Sequence, residues 1–149
     1  MYTIPEISFE EISGRDGNVG LITLTRPQAL NALNYMMLNA LSNQLDEWEA
    51  ANHIKAVVIR SGGGRAFCAG GDVRNAYEHK MSGDPALSLF FRDEYRLNRH
   101  IHHYLKPYIA LIDGIVMGGG VGISIHASHR IATDRIDFAM PETGIGFFS

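Results

Sequence analysis

The stretch Ile109-Ala-Leu-Ile-Asp-Gly-Ile-Val-Met-Gly-Gly-Gly-Val-Gly122 limits the fold most tightly, because an aliphatic run gives way there to four glycines among five residues. Ile109 to Ile112 predicts a buried strand and Asp113-Gly114 a turn. Gly118-Gly119-Gly120 marks a place where backbone must approach something closely. Beyond it, Val121, Ile123, Ile125 and Ala127 lie among small residues and predict a short buried helix that ends at His126, Ser128 and His129. A helix opening on a glycine run turns unpaired N–H groups and its positive end outward, which is how an anion or a developing oxyanion is held. A lone Gly-Gly-Gly also serves close packing and nothing more. Nucleotide motifs do not fit: the third glycine of G-x-G-x-x-G falls at Ile123, and G-x-x-x-x-G-K-[ST] does not occur.

Taken in order, Ile7, Phe9 and Ile12, then Val19 to Leu24, predict two strands joined by the hairpin loop Gly14-Arg-Asp-Gly-Asn18. Thr25-Arg-Pro-Gln breaks the second strand, since proline cannot continue the ladder. Leu33, Met37, Leu41, Leu45 and Trp48 recur at helical spacing and predict a core-facing helix from about Ala32 to Ala51, with Asn31 or Asn34 as N-cap. Lys55 to Arg60 reads as a short strand, and Phe67-Cys-Ala-Gly-Gly-Asp72 as a small-residue segment opening a second helix over Val73 to Lys80. A long helix is predicted from Ala86 to Leu105, ended by Pro107; strands follow at Tyr108–Ile112, Arg130–Thr133 and Asp137–Met140, then a loop from Pro141 to Gly146. The alternation predicts an α/β fold with parallel crossovers, as one domain over residues 1–149.

The formal charge of -3 shows no basic excess, so a nucleic-acid partner is not expected. No apolar run is long enough to span a bilayer, and Met1 to Glu11 carry three glutamates and no lysine or arginine, unlike a secretory signal. A single cysteine, Cys68, suits a reducing compartment. Together these predict a soluble cytoplasmic protein without a membrane partner. The chain ends on Gly146-Phe-Phe-Ser149, two aromatics with no polar tail, as a chain cut inside a larger domain would.

His100/His103 and His126/His129 share helix faces, but their spacing matches no H-E-x-x-H pattern, and no metal is expected. Ser124 lacks the glycine pair of G-x-S-x-G, since His126 stands at the second position, and the apolar neighbours of Cys68 favour an inert thiol. What remains are glycine-rich turns around Gly71 and Gly119 and the carboxylate of Glu142 in a loop after a strand. Two convergent backbone donors and a carboxylate are the parts needed to polarise a carbonyl and then attack it or shuttle a proton.

Asn31-Ala-Leu-Asn34, Phe67-Cys-Ala-Gly-Gly-Asp72, Lys106 to Gly120 and Phe138-Ala-Met-Pro-Glu142 together resemble the crotonase (enoyl-CoA hydratase/isomerase) superfamily, from about Gly20 to Ser149. Phe90-Phe-Arg-Asp-Glu-Tyr95 and Pro141 to Phe148 are most similar to its branch of thioester hydrolases acting on short 3-hydroxyacyl-CoA. The resemblance implies a ClpP/crotonase-type fold of repeated β-β-α units, incomplete at its C-terminus. It implies an acyl-CoA substrate, no separate cofactor because CoA belongs to the substrate, a homo-oligomer, and a place in valine breakdown. By the same resemblance, the N–H groups of Gly71 and Gly119 hold the thioester oxygen, Glu142 attacks the carbonyl or activates water, and Glu94 contacts substrate. Ala69, Gly70 and Asp72 resemble the wall along which CoA lies. Where hydratases of the superfamily carry a second glutamate this chain has Gly122, which disfavours hydration; where the hydrolases carry Pro-Asp after the Gly-Phe-Phe segment it has Ser149. An enoyl-CoA hydratase or isomerase, and a non-catalytic acyl-CoA-binding fragment, are the rival expectations.

Overall fold

The computed structural model describes residues 4–72 and 86–140. Strands β1 (Ile7–Ser13) and β2 (Asn18–Leu24) pair antiparallel from Ile7↔Leu24 to Ser13↔Asn18, around the expected hairpin loop. After β2 the chain makes a 3-10 turn at Pro27–Ala29 and then helix α1 (Tyr35–Ala50). Asn34 is the cap: its side chain accepts from Met37 N at 2.8 Å, so α1 starts three residues after the expected Ala32. The apolar stripe from Leu33 to Trp48 is buried, as its spacing predicts. Trp48 meets the edge of Phe9 at 6.0 Å between ring centroids and lies flat on Gly20, where a Cβ would stand 2.5–2.7 Å from the indole. That missing methyl lets α1 settle onto β2.

Next come β3 (Ile54–Ser61), β4 (Ala66–Cys68) and α2 (Ala86–His102), then β5 (Tyr108–Ile112), β6 (Ile115–Met117) and α3 (Gly119–Ile125), and finally β7 (His129–Ala132) and β8 (Asp137–Ala139). One sheet has the order β1-β2-β3-β5-β7 and the other β4-β6-β8, with every pairing after β1–β2 parallel. From β3 onward each pair of strands therefore sends one to the five-stranded sheet and the next to the three-stranded sheet, in the β-β-α succession that the resemblance implies. No sequence repeat accompanies it. β6 was not foreseen, because three residues between a turn and a glycine run are too short to show alternation.

α2 ends at His102 rather than Leu105, and the residues after it are used to close α1. Lys106 Nζ donates to the carbonyls of Trp48 and, at 2.6 Å, Ala51, while Tyr104 Oη donates to Leu45 O at 2.7 Å and Leu105 N to Glu49 Oε2 at 2.9 Å. A cation at the C-terminal end of α1 satisfies carbonyls that have no partner within the helix. The expected helix over Val73 to Lys80, the loop from Pro141 and Glu142 lie outside the described residues.

Candidate active site

The site is built on a short backbone alignment. Leu33 N donates to Gly70 O at 2.7 Å and Asp72 N to Leu33 O at 3.0 Å, which makes Leu33 and Gly71 a parallel bridge. Because Leu33 bonds the residues on either side of Gly71, the N–H of Gly71 points away from Leu33 by the alternation of extended chain. On that other side stands α3. A Cβ on Gly119 would lie 3.1 Å from Gly71 N and would run into Glu94 Oε1. Gly70 takes φ +109°, and a Cβ there would stand 3.0 Å from Met117 O and 3.2 Å from Gly119 N, so only glycine lets the two segments approach this closely.

Glu94 reaches into this gap from α2 and is 7% exposed. Its Oε2 lies 3.8 Å from the Cβ position of Gly71, beside the Phe90 ring at 3.5 Å. Three residues singled out from the sequence, Gly71, Glu94 and Gly119, thus meet in one place although they come from three segments. Ala69, Gly70 and Asp72 line the strand-like edge of the same place. Ala69 N donates to Leu30 O at 2.9 Å, and the Asp72 carboxylate accepts from Arg26 at 3.0 Å. The arrangement sets a backbone N–H, the start of α3 and a carboxylate side by side, so close that one carbon added at Gly119 would meet both Glu94 Oε1 and Gly71 N.

The residue that braces this edge has a role not foreseen from the sequence. Asn31, expected as a possible cap and as the start of the Asn31–Asn34 motif, is buried with φ +56°, and Leu30 before it has φ +53°. Asn31 Oδ1 accepts from Arg26 N at 2.8 Å, and Nδ2 donates to Ser61 Oγ, Ala66 O and Phe67 O at 3.0–3.2 Å. One amide therefore ties the loop before α1 to β3 and β4. The clue was an asparagine four residues after a proline, since asparagine tolerates left-handed backbone and bonds nearby main chain.

The remaining sequence candidates have other employment. Ser124 Oγ donates to Gly120 O at 2.7 Å, inside its own helix. His100 Nε2 lies 2.9 Å from Glu49 Oε1, and the His102 and His126 rings meet edge to face at 5.4 Å. Among the described residues no group of three or more His, Cys, Asp or Glu is placed to hold a metal ion. Burial pushes the Cys68 thiol up to about 12, with the Glu94 charge adding to the rise and a backbone hydrogen bond from Gly70 opposing it; Sγ donates to Asn31 O at 3.1 Å. The thiolate is the nucleophile, so Cys68 should resist iodoacetamide at pH 8 in the folded protein and react once the chain is denatured. Mass spectrometry of both samples checks this, and rapid native labelling would show an accessible thiolate.

Against known proteins, residues 19–149 match the family model described as enoyl-CoA hydratase/isomerase. The 3-hydroxyisobutyryl-CoA hydrolase, mitochondrial, of Danio rerio is 49% identical over 96% of this chain and 36% of its own length. Among solved structures, a carnitinyl-CoA dehydratase from Mycobacterium thermoresistibile superposes with a TM-score of 0.86 at 45% identity, covering 95% of this chain and 41% of that one. An enoyl-CoA hydratase from Rhodobacter sphaeroides superposes at 0.85 with 40% identity, covering 92% and 40%. The chain spans about a third of the length of the curated relatives it matches. Those relatives are named mitochondrial, which overturns the expected cytoplasmic location. That expectation rested on a lone cysteine, on Met1 to Glu11 being unlike a secretory signal and on the lack of a bilayer-spanning run, none of which tells one reducing compartment from another. With its β-β-α repeats, its facing glycines and a family match over most of its length, the chain belongs to the enoyl-CoA hydratase/isomerase family.

Proposed function

We propose that this chain supplies the acyl-holding part of a thioester hydrolase that releases CoA from a short 3-hydroxyacyl-CoA. The observation that carries the reading is the meeting of Gly71 N with Gly119, beside the Glu94 carboxylate. The thioester oxygen gains charge as the tetrahedral intermediate forms, and fixed N–H groups at Gly71 and Gly119 favour that state over the ground state. Glu142 attacks the carbonyl or activates water in this reading, and Glu94 meets the acyl group. Ala69, Gly70 and Asp72 form the wall for CoA. The names of relatives about half identical to this chain support hydrolysis, and a place in valine breakdown stands on the same reading. Its partners are the acyl-CoA and further copies of the chain.

The solved structures described as hydratases favour a second reading, addition of water to an enoyl-CoA. One pair of assays on the full-length protein separates the two. A hydrolase frees thiol from 3-hydroxyisobutyryl-CoA and leaves the absorbance of crotonyl-CoA unchanged. Loss of crotonyl-CoA absorbance without thiol release would replace the first reading with the second, and tight acyl-CoA binding with neither change would make the chain a binding module.

A further inference from the structure

One helical turn beyond Glu94, α2 turns a second polar side chain toward α3. Glu94, Leu97 and Ile101 form the buried face of α2, and the half-buried Asn98 lies at its margin. Its amide rests on Gly122: a Cβ there would collide with Nδ2 and stand 2.8 Å from both Cγ and Oδ1. Gly119 and Gly122 are three residues apart and share one face of α3, so Glu94 faces the first and Asn98 the second. Asn98 Oδ1 is buried and, among the described residues, has no hydrogen-bond partner. A buried acceptor without a donor destabilises a fold, and an aliphatic side chain of similar size would fill the Gly122 notch without that cost.

We infer that Asn98 is a further specificity-determining residue of the proposed hydrolase site, its buried amide oxygen accepting a hydrogen bond from a hydroxyl on the acyl chain. The inference rests on the acyl-CoA reading above and narrows its substrate class. Glu94 and Asn98 together offer acceptors, and the donor that a short acyl group can bring to them is a hydroxyl. A site built around such a bond rejects the analogue lacking it, because the acceptor is then left unpaired.

The test compares thiol release from 3-hydroxyisobutyryl-CoA and from isobutyryl-CoA, which lacks the hydroxyl, by the full-length protein and its Asn98→Leu variant. The expected result is a fall of roughly tenfold or more in kcat/KM for the hydroxylated substrate, with the other held within about twofold. Asn98→Ala removes the acceptor without adding bulk and should show the same selective loss, which keeps the test decisive if the leucine variant does not fold. Parallel losses on both substrates would make Asn98 a packing residue and overturn the inference, as would unchanged discrimination. A wild-type protein that cleaves neither thioester would instead sink the hydrolase reading itself.

Discussion

Gly119→Ala in the full-length protein should lower thioester cleavage by about 10²–10³-fold, the loss seen when one oxyanion donor is taken out of use, while the melting temperature stays close to that of the wild type. Alanine keeps its own N–H, but its methyl obstructs the N–H of Gly71. The added methyl would stand 3.1 Å from Gly71 N, in the space where a carbonyl oxygen must sit to reach that N–H. Its collision is with Glu94 Oε1, the far end of a flexible side chain, which can swing aside at little cost to the fold. Alanine is also the better helix former at this position. Thiol release and thermal melting on the same preparation decide the matter. Near-normal turnover by the folded variant would remove Gly119 from the oxyanion site.

One residue further on, the same substitution should fail in the opposite way. A Cβ on Gly120 would run into Cys68 O and stand 2.9 Å from both the carbonyl carbon and Cβ of Cys68. These are backbone and fully buried atoms of β4, so α3 and β4 would have to separate. Overpacking of this kind costs about 3 kcal/mol, enough to remove a large share of a domain's stability. Chemical denaturation of Gly120→Ala should show the transition midpoint well below that of Gly119→Ala. Equal midpoints would mean that the α3–β4 contact yields more easily than its geometry suggests.

The pair also shows what was legible in the sequence. That Gly118-Gly119-Gly120 brings backbone close to something could be read directly, but which glycine faces the chemistry and which faces β4 depends on the direction of each Cα–Cβ bond. Long periodic elements were readable: the stripe from Leu33 to Trp48 and the hairpin around Gly14 to Asn18 carry their period in the chain. Helix ends were readable in part: Asn34 was one of two caps the sequence offered, whereas Lys106 closes α1 from a distant segment, through contacts that periodicity does not encode. In the site, Gly71 and Gly119 follow from glycine-rich turns, whereas Glu94 came from resemblance alone, since a glutamate on a helix ordinarily faces solvent. The bracing role of Asn31 could not be read, because the four partners of its side chain are spread from Arg26 to Phe67.

The parallel pairings set an order in time. β1 and β2 close through the four residues between Ser13 and Asn18, but β3, β5 and β7 each dock beside the strand laid down before them, and β4, β6 and β8 do likewise in the second sheet. Each rung needs its predecessor as a template and must first pay the entropy of closing a long loop. A ribosome releases these templates in the order in which they are needed, N-terminal strands first. The newest strand then always presents an open edge, and during synthesis that growing edge is where a nascent chain of this topology is exposed to pairing with a neighbour.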